Sequence, residues 1–493
     1  VITGKQLWVF ITAIAFPLFF ILHGVNEQFG LIANSTIAEF TLYYLLVAVA
    51  AAVVSRIIFR DYERSVVFMF LLLCIFFFFG AAKDAVKTSR FEAFSRYSVL
   101  LPAIIILTGV SYVIISRTTN SLKRAVLFIR TLLCVCVALE AGILFYNIFS
   151  HKEKQKDLGD IDHLLISDIK IPDTARKPFI FWIVLDEYSG NTALKNRWGF
   201  NNPLDSILRT KGFFAADSAV SPYNYTHYSL VSTLDMTYLK ELREHSVIGF
   251  RDIVRGNISL RQTNVLKLLE EAGYNIHNYT IYDIDDYPTK AHEYFINADF
   301  KLIDNQTLPG RIRQDLGWKF SKVDRAEGLK KEYDYRLSLV QEGVEAAKKS
   351  VSDKNPSFFM FHYLLTHEPF LYKADGSLDT TSGFDVEPEK YVPSITYANN
   401  VITALVDSLK AIYRDRELVI ILQGDHGFKF NESDPLFDRY GCSILYAVYC
   451  SDLTYPAWNN TFNSVNTFRV LFNKYFHTNL PVLENLSYNL YYR

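Results

Sequence analysis

Three stretches of this 493-residue chain end an apolar run in carboxylates or imidazoles, the side chains that hold metals and relay protons. IFWIVLDEYSG delivers Asp186 and Glu187. FFMFHYLLTHEPF carries His362, Thr366, His367 and Glu368. LVIILQGDHGF places Asp425 and His426 before Gly427. An Asp-His-Gly turn alone is a surface turn more often than a ligand pair. Three such stretches in one region point to a site for a divalent cation such as Zn²⁺ or Mn²⁺. A fourth segment, SPYNYTHYSLVSTLDMTYL, offers a nucleophile. Pro222 and Asn224 mark a loop, and Thr226 stands where a helix can start. A threonine there reads first as an N-cap. The same helix end also presents free backbone N–H groups to an anion, and a nearby metal would activate the hydroxyl for attack on phosphorus.

These residues need a scaffold that brings four distant segments together. From Lys152 onward the chain reads as soluble. His151–Asp160 is charged and linker-like, so the division expected is a membrane region over 1–150, a linker over 151–175 and a catalytic domain over 176–493. In the last of these, strand-like runs (Phe179–Leu185, Ser357–Leu365, Glu417–Leu422, Ser443–Tyr449) alternate with helical patterns (Arg261–Ala272, Ala326–Lys349, Ser394–Tyr413, Val465–Phe476). That alternation predicts an α/β domain with a largely parallel central sheet flanked by helices. In such sheets ligands gather at the carboxyl ends of the strands, where Asp186, His367 and Asp425 follow their runs.

Before residue 150 lie five apolar stretches, Leu7–Leu22, Phe40–Val54, Ser65–Ala82, Tyr97–Ser116 and Ala125–Ser150. The third and fourth are long enough to cross a hydrocarbon core, and flanking residues must lengthen the first two. Five spans are therefore expected, with the two chain ends on opposite sides of the membrane. The Lys/Arg distribution among the loops favours a cytoplasmic N-terminus only weakly. Glu140 falls near the middle of the fifth stretch, where a polar contact between helices is its expected role.

Composition removes other classes. With 51 Lys+Arg against 52 Asp+Glu, no whole-chain case for nucleic-acid binding exists. Five cysteines exclude a disulfide-built scaffold. Cys442 and Cys450 bracket an extended run that would separate them by roughly 26 Å, beyond the reach of a bridge.

The ordered set LDE, NYTHYS, LLTHEPF and QGDHG resembles the alkaline phosphatase/sulfatase superfamily, and within it the membrane-anchored lipoteichoic acid synthases and lipid A phosphoethanolamine transferases. The layout, five spans and then an extracytoplasmic catalytic domain, is similar as well. The resemblance implies one divalent metal ion held by Glu187 (with Asp186 as the alternative or additional acid), Thr226, Asp425 and His426. It implies Thr226 as nucleophile and His367 as the group that contacts the transferred moiety or protonates the leaving oxygen. His362 reads as a buried strand residue. The chain departs from the sulfatase pattern Cys/Ser-x-Pro-Ser-Arg: the matching string is Thr226-His227-Tyr228-Ser229-Leu230, and threonine cannot become formylglycine. Phosphoryl chemistry is therefore expected over sulfate-ester hydrolysis.

The resulting expectation is a multi-pass enzyme of the bacterial inner membrane with its catalytic domain outside the cytoplasm. It would move phosphoethanolamine or phosphoglycerol from a phospholipid donor to an envelope glycan or lipid through a phospho-threonine. A membrane-anchored hydrolase of the sulfatase/phosphatase type and a non-catalytic subunit of an envelope complex are the alternatives.

Overall fold

The computed structural model describes all residues except 1–3, 30–31, 33, 151–168, 170, 173, 240–241, 243–245, 262, 285, 290–302, 321–324, 382–387 and 493. Most of the expected linker lies outside the described residues. The chain divides into two compact units, one of Val1–Gln155 with Asn297–Lys322, the other of Lys156–Ile296 with Val323–Arg493.

The first unit is helical: α1 (Gly4–Glu27), α2 (Asn34–Ile58), α3 (Tyr62–Lys87), α4 (Tyr97–Arg117) and α5 (Lys123–Ser150). Asp61 caps α3, its side chain accepting from the Arg64 N–H at 3.0 Å. Five spans are expected from the sequence. Among the described residues four helices are long and apolar enough to cross a membrane; of α1, Gly4–Glu27, only the part from Thr12 is described in full, a shorter apolar stretch. That stretch ends in polar residues that serve packing: Asn26 donates to Glu140 Oε2 at 2.7 Å, and His23 Nδ1 lies 2.8 Å from Glu140 Oε1. Glu140 thus joins α1 to α5, which offsets the cost of placing a carboxylate there.

One segment from the region assigned by sequence to the catalytic domain packs with the spans instead. Helix Leu308–Phe320 and the turn before it sit on α3. The Gly80 N–H donates to the Gln306 carbonyl at 2.8 Å, Arg311 pairs with Asp84, and Lys83 pairs with Asp315. The Tyr97 hydroxyl also donates to Asp315, at 2.7 Å. Such charge complementarity between distant segments leaves no periodic trace in a sequence.

The second unit is built on a six-stranded sheet of β1 (Phe179–Leu185), β2 (Phe214–Ala215), β3 (Asn275–Tyr279), β4 (Ser357–Tyr363), β5 (Leu418–Gly424) and β6 (Tyr446–Cys450), in the order β2-β6-β5-β1-β4-β3. The pairs β1–β4, β1–β5 and β3–β4 are parallel; β5–β6 and β2–β6 are antiparallel. The sheet is mixed and mostly parallel. Strand β1 is central and apolar throughout because both faces are covered. Ile180, Trp182 and Val184 enter one core while Phe179, Phe181, Ile183 and Leu185 enter the other. Each such side chain contributes about 1.5–3 kcal/mol by burial. β3 (NIHNY) is not expected from the sequence, since its polar residues suit a half-covered edge strand.

Strand register gathers the chemical residues. Leu185 lies opposite Tyr363 on one side and Gly424 on the other. The three strands therefore finish side by side, and Asp186, the 364–368 turn and Asp425 leave from adjacent ends.

Candidate active site

Helix α6 (Thr226–Asp235) brings the fourth segment. Tyr225, in extended conformation, occupies its N-cap position without a side-chain cap bond. The N-cap role open to Thr226 thus falls to its neighbour, and Thr226 opens the helix with its hydroxyl available for other work. That hydroxyl lies 3.2 Å from His426 Nε2. The other ring nitrogen, Nδ1, is 2.7 Å from the Gly427 carbonyl. A carbonyl can only accept, so Nδ1 carries the proton and Nε2 presents its lone pair to Thr226.

Asp425 Oδ1 accepts two main-chain N–H groups, from His426 at 2.8 Å and Glu187 at 2.9 Å. Its Oδ2 has no hydrogen-bond partner and stands 3.6 Å from His426 Nε2. Glu187 adopts φ 61°, a left-handed conformation that costs a non-glycine residue about 1–2 kcal/mol. The Asp425 carboxylate and the Tyr391 hydroxyl, which donates to the Glu187 carbonyl at 2.6 Å, hold it there. This kink sends the two adjacent acids different ways. Glu187 Oε1 accepts the Lys429 N–H, whereas Asp186 Oδ2 lies 3.0 Å from His362 Nε2.

The electrostatics separate the two acids as well. Burial pushes the Glu187 carboxyl well above the usual range and nearby Glu368 pushes the same way, against the bond from Lys429 N–H. Burial also works to raise Asp186, but the imidazoles of His367, His362 and His426 together outweigh it and hold this carboxyl below the usual range. Burial lowers His227, next to the nucleophile, to about 4.

Asp186, His362 and Asp425 each offer a ligand atom, and these atoms lie within 4.8 Å of one another. His426 Nε2 is 3.9 Å from Asp186 Oδ1. The fit of this group to a divalent cation rests on atoms with nothing else to do: Asp186 Oδ1 and Asp425 Oδ2 are buried without a hydrogen-bond partner. Leaving such atoms unsatisfied costs about 1–3 kcal/mol each, and a cation answers all of them at once. The structure therefore brings Asp186, Thr226, Asp425 and His426 together. It adds His362, and it directs the Glu187 carboxylate toward Lys429. His367 sits at the edge, Nε2 3.9 Å from Asp186 Oδ1, with a side chain 29 % exposed. Its turn is pinned by the Thr366 hydroxyl, which donates to the Asp186 carbonyl.

His362 is the member that sequence reasoning sets aside. Its signal is parity: Phe358 and Met360 face the core that also holds Tyr228, Leu230 and Val231 of α6, and strand alternation puts His362 on that face. Tyr282, its ring centroid 5.1 Å from that of His227 and 6.0 Å from that of His362, leaves no such trace.

Residues 178–474 match the sulfatase family model. No curated protein matches the sequence. Among solved structures the chain is similar to the phosphoethanolamine transferase EptA from Neisseria meningitidis, at 12% identity over 95% of each chain with a TM-score of 0.38. It is also similar to the C-terminal periplasmic domain of EcEptC from Escherichia coli, at 13% identity over 63% of this chain and 85% of that one, with a TM-score of 0.38. A protein of the alkaline phosphatase superfamily from Vibrio parahaemolyticus is similar at 12% identity over 62% of this chain and 68% of its own, with a TM-score of 0.37. The family match spans more than half of the chain and takes in every residue of the site, so the chain belongs to the sulfatase family.

Proposed function

We propose that this protein is a membrane-anchored, metal-dependent transferase that moves a phospholipid head group, phosphoethanolamine or phosphoglycerol, onto an envelope glycan or lipid by way of a phospho-threonine at Thr226. The observation that carries the reading is the Thr226 hydroxyl, 3.2 Å from His426 Nε2, itself a candidate ligand of the ion, and at the start of a ten-residue helix. Asp186, Asp425, His426 and His362 would hold one divalent ion, Zn²⁺ or Mn²⁺. Bound there, the ion lowers the proton affinity of the threonine oxygen and offsets charge on the phosphoryl group.

The protein's own groups perform the rest. Thr226 Oγ1 releases its proton to water and attacks phosphorus while the free N–H groups of the first turn of α6 face the phosphoryl oxygens. The bond from phosphorus to the diacylglycerol oxygen breaks, and His367 gives that oxygen its proton. An acceptor hydroxyl then gives its proton to His367 and attacks the same phosphorus, the bond to Thr226 breaks, and the threonine oxygen takes a proton back from water. Five spans, the inner membrane of a bacterium and an extracytoplasmic site complete the proposal, since the lipid donor is then at hand. The sulfatase family match supports a second reading in which water is the acceptor and the enzyme is a hydrolase.

The test is to incubate the purified full-length protein with phospholipids labelled in the head group and to identify modified peptides by mass spectrometry. The label should reside on Thr226. Thr226→Ala should remove it and lower single-turnover transfer by several orders of magnitude, with Thr226→Ser retaining some turnover. Full transfer by a stably folded Thr226→Ala protein would end the two-step mechanism. Release of free phosphoryl head group with no acceptor product would favour the hydrolase.

A further inference from the structure

The turn that carries His367 is held by a charged side chain that no step of the transfer uses. Helix α7 (Arg325–Ser350) supplies Arg336, which is 4 % exposed. Its Nη1 donates to two carbonyls of the turn, those of Leu364 and of His367, the latter at 3.1 Å. Its Nε donates to Glu332 Oε1 at 2.9 Å, one helical turn earlier. On the opposite side the turn is tied to Asp186 through the Thr366 hydroxyl. Residues 364–367 are thus clamped between a guanidinium and the main chain of Asp186.

Helix stability does not account for the pair. Partly buried ions lose hydration that apolar side chains of similar volume would not, so replacing such a pair by apolar groups is often neutral or stabilising. The exposed face of α7 already carries ordinary pairs one turn apart, Lys330 with Asp334 and Lys331 with Glu327. What Arg336 does that an apolar residue cannot is hold the carbonyls at both ends of a three-residue step. Fixing both sets the backbone of the turn, and with it the direction in which the His367 side chain leaves. A lysine would bring the charge without the planar fork.

We propose that Arg336, braced by Glu332, is a positioning residue that aims His367 at the metal and nucleophile group. The inference rests on the proton-donating role proposed for His367. It is tested with Arg336→Met, Arg336→Lys and Glu332→Gln in the full-length, metal-loaded protein. Arg336→Met should lower kcat for head-group transfer about tenfold, the factor that goes with one lost charge-assisted hydrogen bond. KM for the lipid and the metal content should stay unchanged. Arg336→Lys should recover part of the loss, and Glu332→Gln should show a smaller loss of the same kind. In a His367→Ala background Arg336→Met should cost nothing further. Equal loss in both backgrounds, or loss of metal, overturns the proposal.

Amide hydrogen exchange separates the clamp from the chemistry. The peptide 364–370 should exchange about tenfold faster in Arg336→Met, with the rest of the second unit unaffected. Unchanged exchange overturns the positioning role whether or not the protein transfers anything. A wild-type protein without transfer activity, combined with faster exchange in the variant, would sink the transferase reading and leave the clamp standing.

Discussion

At the residue scale the decisive arrangement is the division of labour between two adjacent acids. Asp186 points at His362 and offers an oxygen without a hydrogen-bond partner to the candidate metal group; Glu187 accepts the Lys429 N–H from a left-handed backbone. Replacing an acid that touches the ion should cost far more metal than replacing one that faces a main-chain N–H, because an amide oxygen can still accept that bond. Purified wild-type protein should contain about one divalent ion per chain. Asp186→Asn and the Asp425→Ala/His426→Ala pair should lose most of it, while Glu187→Gln should keep most. Elemental analysis of the folded variants decides the matter. Asp186→Asn with full metal and Glu187→Gln with none would reverse the assignment.

At the element scale, the turn at Asn305 and Gln306 lies so close to α3 that only glycine fits at the crossing. A Cβ on Gly80 would meet the Asn305 carbonyl oxygen at 2.7 Å and Gln306 Cα at 2.8 Å, backbone atoms that cannot swing aside. Gly80→Val should therefore loosen the segment, at a cost of about 1–3 kcal/mol, and lower the melting temperature of the first unit. Limited trypsin digestion should then cut at Arg311 or Arg313. Gly109→Val, in a helix where a Cβ meets nothing within 4 Å, is the control and should leave both measurements unchanged. Equal behaviour of the two variants would show that the close approach carries no stability.

At the scale of the whole molecule, the transferase reading requires the soluble unit to lie outside the cytoplasm. Four qualifying helices alone would leave the two chain ends on the same side of the membrane, and α1 as a fifth span puts them on opposite sides. A reporter active only outside the cytoplasm, fused after Arg493, should give signal in a host in which the N-terminus is cytoplasmic. Signal from a cytoplasm-only reporter instead would mean that one of the five helices does not cross, the short apolar stretch Phe40–Val54 being the first suspect.

Much of this architecture is legible without coordinates. The strand over Phe179–Leu185 is visible because a strand covered on both faces must be apolar at every position, and the spans are visible because hydrocarbon tolerates little else. The turns holding Asp186, Thr226, His367, Asp425 and His426 stand out because chemical residue types follow apolar runs. Three things needed the tertiary structure. His362 looks like core because one imidazole in an apolar strand has no partner in sequence; only the β1–β4 register sets it beside Asp186. The different directions that the Asp186 and Glu187 side chains take turn on a backbone torsion fixed by Asp425 and Tyr391, 238 and 204 positions from Glu187. The placement of 303–320 against α3 depends on pairs such as Arg311 with Asp84, which span 227 positions and carry no period. Composition and periodicity report what each segment can bury, so the sequence determined the elements and the kinds of group at their ends. Which of those groups meet is set by register and long-range contacts, and that only the folded chain decided.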